Sequence, residues 1–143
     1  MEIKKAILPV VVGTMAGLMV SVVGEKVVMA SDMPADAEQI SNQQVAIQWF
    51  TSLPVSAFVI MAVFAAVGAL VAGIAASKLS ETEKKMPLVV TSVLLMLAAT
   101  YKLYLLSFQP ATYSLLRLAV IIPMVIVGGK IASILPGKYR NAA

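Results

Sequence analysis

The sequence predicts an all-α integral membrane protein, a four-transmembrane-helix bundle with both termini cytoplasmic. Composition, hydropathy and charge pattern each point there. Of 143 residues, 60% are hydrophobic and 13% charged, against roughly 25% charged in a soluble domain. Mean hydropathy is +0.94, so too little polar surface remains to cover a soluble globule. Four apolar stretches, at about 6–30, 53–78, 86–108 and 110–135, each reach the ~20 residues needed to cross a bilayer core. Lys and Arg alternate from one connection to the next, as the positive-inside rule requires. Peptide groups in lipid must bond within their own segment, which makes each stretch a helix. No period-2 alternation supports a β-barrel. At this length the chain is one domain, 1–143.

The first stretch is uncharged from Ala6 to Gly24, and its apolar pattern runs past Glu25 and Lys26 to Ala30. Val28-Met29-Ala30 looks like a small-residue cleavage site. The apolar run, however, exceeds the ~7–15 residues of a signal core, so the segment is expected to be retained. Gly13, Gly17 and Ser21 recur every fourth residue, a spacing that lets two helix backbones approach closely. The next step on that stripe is Glu25, which places it on the packing face.

The connection at 31–52 carries Asp32, Asp36 and Glu38 and no Lys or Arg. Met33-Pro34 turns the chain, and Asp36 can cap a short helix. Val45, Ile47, Trp49 and Phe50 gather before the second stretch. They read either as an aromatic anchor at the membrane surface or as a lid over an outward-facing cavity.

The second helix is uncharged from Leu53 to Ser77. It carries Ala65, Ala69, Gly73 and Ser77 on one stripe and Gly68, Ala72 and Ala76 on another, both suited to close contact. Lys78, Lys84 and Lys85 follow beside Glu81 and Glu83. The third stretch holds Lys102, and the fourth holds Arg117 and Lys130. Their connection around 107–111 is short and uncharged, which makes these two helices antiparallel neighbours. Pro123 falls mid-span, where a missing N–H predicts a kink. Gly128, Gly129, Ala132 and Ser133 form another small-residue surface. The packing partner of these surfaces is the same chain or a second copy. Nine Met residues read as adaptable core filler. Lys4, Lys5, the second connection, Lys138 and Arg140 mark the cytoplasmic side; the first and third connections face outside.

Glu25, Lys102 and Arg117 are the charges that matter. Glu25 lies near the outer surface. Lys102 and Arg117 lie about six residues deep, roughly 9 Å at 1.5 Å per residue, with Tyr101, Tyr104 and Tyr113 close by. An unpaired charge in hydrocarbon costs ~2.5–3.5 kcal/mol on insertion scales. Three readings are open: snorkelling of the cations to the headgroups with Glu25 paired to Lys26, a structural ion pair, and a substrate or ion site. Two cations against one carboxylate favour an anion or a lipid phosphate over a cation. Lys130 is placed to snorkel at the cytoplasmic end.

With no Cys and no His, thiol chemistry, disulfides and the commonest general base and metal ligand are absent. No Walker loop, nucleophile elbow or metal-ligand cluster occurs. A non-enzyme with no cofactor and no metal is the expectation. The net charge of +4 is dispersed over separate connections, which does not suit nucleic acid. The expected partners are membrane lipids, other membrane-protein subunits or a second copy.

Glu25 late in the first helix, Met33-Pro34 and Asp36, and Leu53-Pro54 with Gly68 and Gly73 form one run of features. Phe108-Gln109-Pro110, Pro123 and Gly128-Gly129 complete it. In these features the chain resembles an uncharacterised family of small four-helix bacterial inner-membrane proteins. It departs from that pattern where the family often has His after the Glu and Trp after the last loop's Pro; apolar residues and Tyr113 stand there. The resemblance implies the bacterial inner membrane and the four-helix architecture. The functional expectation is an accessory, scaffolding or lipid-binding bundle. The alternative is a small oligomeric transporter or channel with Glu25, Lys102 and Arg117 lining an outward-facing cavity.

Overall fold

A computed structural model describes residues 3–32, 52–80, 85–105 and 111–135. Among them are four helices: α1 (Ile3–Asp32), α2 (Val55–Leu79), α3 (Lys85–Leu105) and α4 (Ala111–Ile134). Each is long and apolar enough to cross a membrane, over Ile7–Val28, Val55–Leu79, Lys85–Lys102 and Tyr113–Ile134. The expected cap at Asp36, the Trp49 anchor, the Glu81–Lys84 stretch, the Phe108-Gln109-Pro110 turn and the tail with Lys138 and Arg140 lie outside the described residues.

Prolines set much of the local detail. Pro54 is extended at φ −68° and ψ 157°, and its carbonyl accepts the Ala57 N–H at 3.0 Å. The second helix therefore begins at Val55, two residues later than the apolar run, because a proline is best tolerated at or before the first turn. Pro87 occupies the first turn of α3 for the same reason. Pro9 and Pro123 sit inside α1 and α4, each removing one N–H from the helical ladder. Pro9 is fully buried, and hydropathy gives no sign of it.

The helices run alternately up and down, and α2 is the centre. It packs along much of its length against α1 and α4, while α3 rests more lightly on all three. The antiparallel α1–α2 seam is glycine-lined. A Cβ on Gly13 or Gly17 would lie 2.9 Å from the Ala72 carbonyl oxygen or the Gly68 carbonyl oxygen, respectively. Farther along, Gly24 faces Phe64. The α2–α4 seam is parallel and as close. Gly73 abuts the Val125 carbonyl and Gly128 abuts the Leu70 carbonyl. The two stripes on α2 thus serve different partners: Gly68, Ala72 and Ala76 meet α1, and Gly73 meets α4. Helix pairs approach this closely only where one side lacks a side chain.

Two clusters fill the interior. Ala69, Ala72, Leu95, Ala99, Ile121 and Val125 form the middle. Val28, Leu53, Ala57, Met61 and Tyr113 close one end. Val, Ile, Leu and Met residues on all four helices face outward instead. At the opposite end the Lys78 ammonium donates to the Leu135 carbonyl at 2.8 Å, meeting an acceptor that the end of α4 leaves open.

Candidate functional site

The three charges singled out in the apolar helices converge. Glu25 of α1, Lys102 of α3 and Arg117 of α4 meet at the end of the bundle closed by the Tyr113 cluster. The Lys102 ammonium donates to Glu25 Oε1, and an Arg117 guanidinium nitrogen lies 3.9 Å from the same oxygen. Helix periodicity makes this possible. Three turns after Gly13, the stripe that seats α1 on α2 arrives at Glu25. Tyr113 and Ile121 stand one turn either side of Arg117 on the same face.

Burial differs among the three. The Arg117 side chain is 10% exposed, against 31% for Lys102 and 32% for Glu25. Lys102 turns onto Glu25 rather than outward, and neighbouring Lys26 is exposed. Tyr113 is buried and packs its ring 5.3 Å from that of Phe58. Tyr101 does not join the cluster: it is 63% exposed, because one residue step turns a helix by about 100° and Lys102 holds the inward position. Tyr104 is exposed as well.

A cavity of about 20 Å³ adjoins the cations. Lys102, Arg117 and Ser21 supply its polar lining, and Ala65, Ala69 and Ala99 are among its apolar walls. Alanines at these places leave room for the long cationic stems. Ala98 and Ala99 lie four and three residues before Lys102 on one helix face, a spacing through which they could have been recognised. Ser21 donates its hydroxyl proton to the Gly17 carbonyl at 3.1 Å. Among the described residues, no three His, Cys, Asp or Glu side chains gather where a metal ion could bind.

No family model, curated protein or solved structure matches the chain.

The remaining sequence-predicted positions are packing positions. Gly13, Gly17, Ala65, Ala69, Gly73, Gly128 and Gly129 are all buried. Gly129 packs against the end of the Leu88 side chain. Lys130 is exposed. Ser77 of the α2 stripe, and Thr14, Thr91 and Ser114, which no sequence pattern marked, have buried hydroxyls with no hydrogen-bond partner among the described residues. By contrast, Ser92 and Thr100 donate to carbonyls one turn back, each at 2.8 Å.

Proposed function

We infer that this chain is a multi-pass protein of the bacterial inner membrane, with both termini cytoplasmic, that works without catalysis as an accessory or scaffolding helix bundle in contact with lipid. The observation that carries the reading is the distribution of its side chains. Glycine and alanine are spent on backbone contact along α2, large aliphatic residues face outward on every helix, and the intramembrane charges are drawn into one cluster. Such a bundle presents an extended apolar surface to lipid or to other membrane helices and holds it rigidly. Cell fractionation followed by native mass spectrometry from mild detergent tests the reading. The expected result is a chain recovered from the membrane with lipid or a defined partner attached. Recovery from the soluble fraction, or a bare monomer under every mild condition, would overturn it.

A second reading is a small transporter or channel, and the cavity against Lys102 and Arg117 favours it. Solute flux in reconstituted vesicles that falls on Lys102→Ala or Arg117→Ala is the expected sign. Flux unchanged in both variants removes this reading.

A further inference from the structure

We propose that the cavity beside Lys102 and Arg117 is a binding site for a small monovalent anion of halide size. Among the described residues the cluster is unbalanced: one carboxylate, Glu25, faces two cations. An uncompensated charge away from water is strongly unfavourable and draws a counter-charge. The lining chooses the sign. Lys102 and Arg117 both face the cavity, while Glu25 is not part of its wall. Ser21 has given its proton to Gly17, so the donors are the two cations. Lys102 directs one of its three N–H bonds at Glu25. Arg117, nine-tenths buried, stands 3.9 Å from the carboxylate, beyond hydrogen-bonding distance, which leaves guanidinium N–H groups for another acceptor.

Size then chooses among anions. About 20 Å³ exceeds the ~10–15 Å³ that one water-sized occupant requires. A chloride or bromide ion fits that space after a small outward shift of the alanine walls. A tetrahedral phosphate or a sulfate is bulkier than a halide and would have to push the walls farther apart. A halide between the two cations would make the cluster electrically neutral and accept from Arg117 N–H groups that the Glu25 carboxylate does not reach. The proposal rests on the chain folding as a membrane bundle, and it holds whether the ion is a fixed part of the structure or moves through it.

The test uses the full chain purified in detergent without anionic lipid. Thermal unfolding is followed at constant ionic strength while gluconate is exchanged for chloride, bromide, sulfate or phosphate. A ligand that binds only the folded state raises the melting temperature in a saturable way. Chloride and bromide are expected to do so, while sulfate, phosphate and gluconate do not. Crystals grown with bromide are expected to show an anomalous peak between Lys102 and Arg117.

Charge changes should act in opposite directions. Lys102→Gln is expected to weaken halide binding at least tenfold, and Glu25→Gln to strengthen it. Ala98→Val keeps all three charges but narrows the cavity, and it is expected to lose the halide effect while still unfolding cooperatively. The bromide experiment on the unaltered chain stays decisive if any variant fails to fold. Equal stabilisation by gluconate or sulfate, or no bromide peak in a well-folded bundle, would overturn the proposal. Stabilisation by phosphatidylglycerol without any halide effect would also overturn it and assign the cations to a lipid headgroup. A chain that needs no detergent would instead overturn the membrane reading, whatever bromide does.

Discussion

Glu25 is the residue on which the cluster's charge balance turns. Replacing it with Gln leaves Lys102 and Arg117 facing each other without their carboxylate. Replacing Lys102 with Met leaves Glu25 and Arg117 free to close into a neutral pair. Breaking a fully buried pair costs ~3–5 kcal/mol; with Glu25 a third exposed, Glu25→Gln should cost about 2 kcal/mol. Lys102→Met should cost less than about 1 kcal/mol, since the Arg117 pair remains. Denaturant unfolding in detergent at low chloride measures both. A larger loss for Lys102→Met would show that packing of the lysine stem, not charge, sets the cluster's stability. Thr91 offers a separate test. Its hydroxyl is buried with no hydrogen-bond partner among the described residues, and such groups cost ~1–3 kcal/mol. Thr91→Val keeps the shape and removes that cost, so the melting temperature should stay or rise. A clear fall would reveal a partner for the hydroxyl. The site was partly legible at this scale. Glu25, Lys102 and Arg117 could be picked out because charges are rare in apolar stretches, and the shared depth of the two cations follows from a short connection. That the Arg117 side chain is nine-tenths buried while Tyr101 is exposed depends on helix rotation, which uniformly apolar helices do not encode.

At the scale of the helix, the glycines separate backbone contact from side-chain contact. A methyl group on Gly73 meets the Val125 carbonyl, which cannot move without displacing α4. A methyl group on Gly129 meets the tip of the Leu88 side chain, 2.6 Å away, which can rotate. Both substitutions gain about 1 kcal/mol of helix propensity. Gly73→Ala should therefore destabilise the bundle by about 2 kcal/mol or more, within the range for overpacking a close interface. Gly129→Ala should be nearly neutral. Thermal unfolding of the pair decides the matter, and equal effects would mean that the α2–α4 contact is looser than its glycines indicate. The helices themselves could be read from hydropathy, and their small-residue stripes from four-residue spacing. Which stripe meets which partner could not, because α2 carries two such stripes on adjoining faces and local sequence gives no rule for assigning them. Pro9 escaped notice because its ring is apolar and lies within an otherwise regular run, and the start of α2 shifted because Pro54 belongs to the apolar run yet stays outside the helix.

For the molecule as a whole, α2 supplies the sharpest test of the membrane reading. It is the most apolar of the four helices and carries no charged residue before Lys78 near its end. Charge is distributed unequally around it: the connection before it has no Lys or Arg, and the one after it has Lys84 and Lys85. On insertion, that bias should leave the lysine-rich side in the cytoplasm. Ser52 and Ser80 bracket α2, and a helix of 25 residues has the length to cross once. The chain contains no cysteine, so Ser52→Cys and Ser80→Cys each introduce one thiol. A membrane-impermeant maleimide applied to spheroplasts should label Ser52→Cys and leave Ser80→Cys untouched until the membrane is opened. Reversed labelling would keep the bundle but invert it, moving the charge cluster to the cytoplasmic half. Labelling of both positions from one side would mean that α2 does not cross, and a bundle built around α2 could not then span the bilayer.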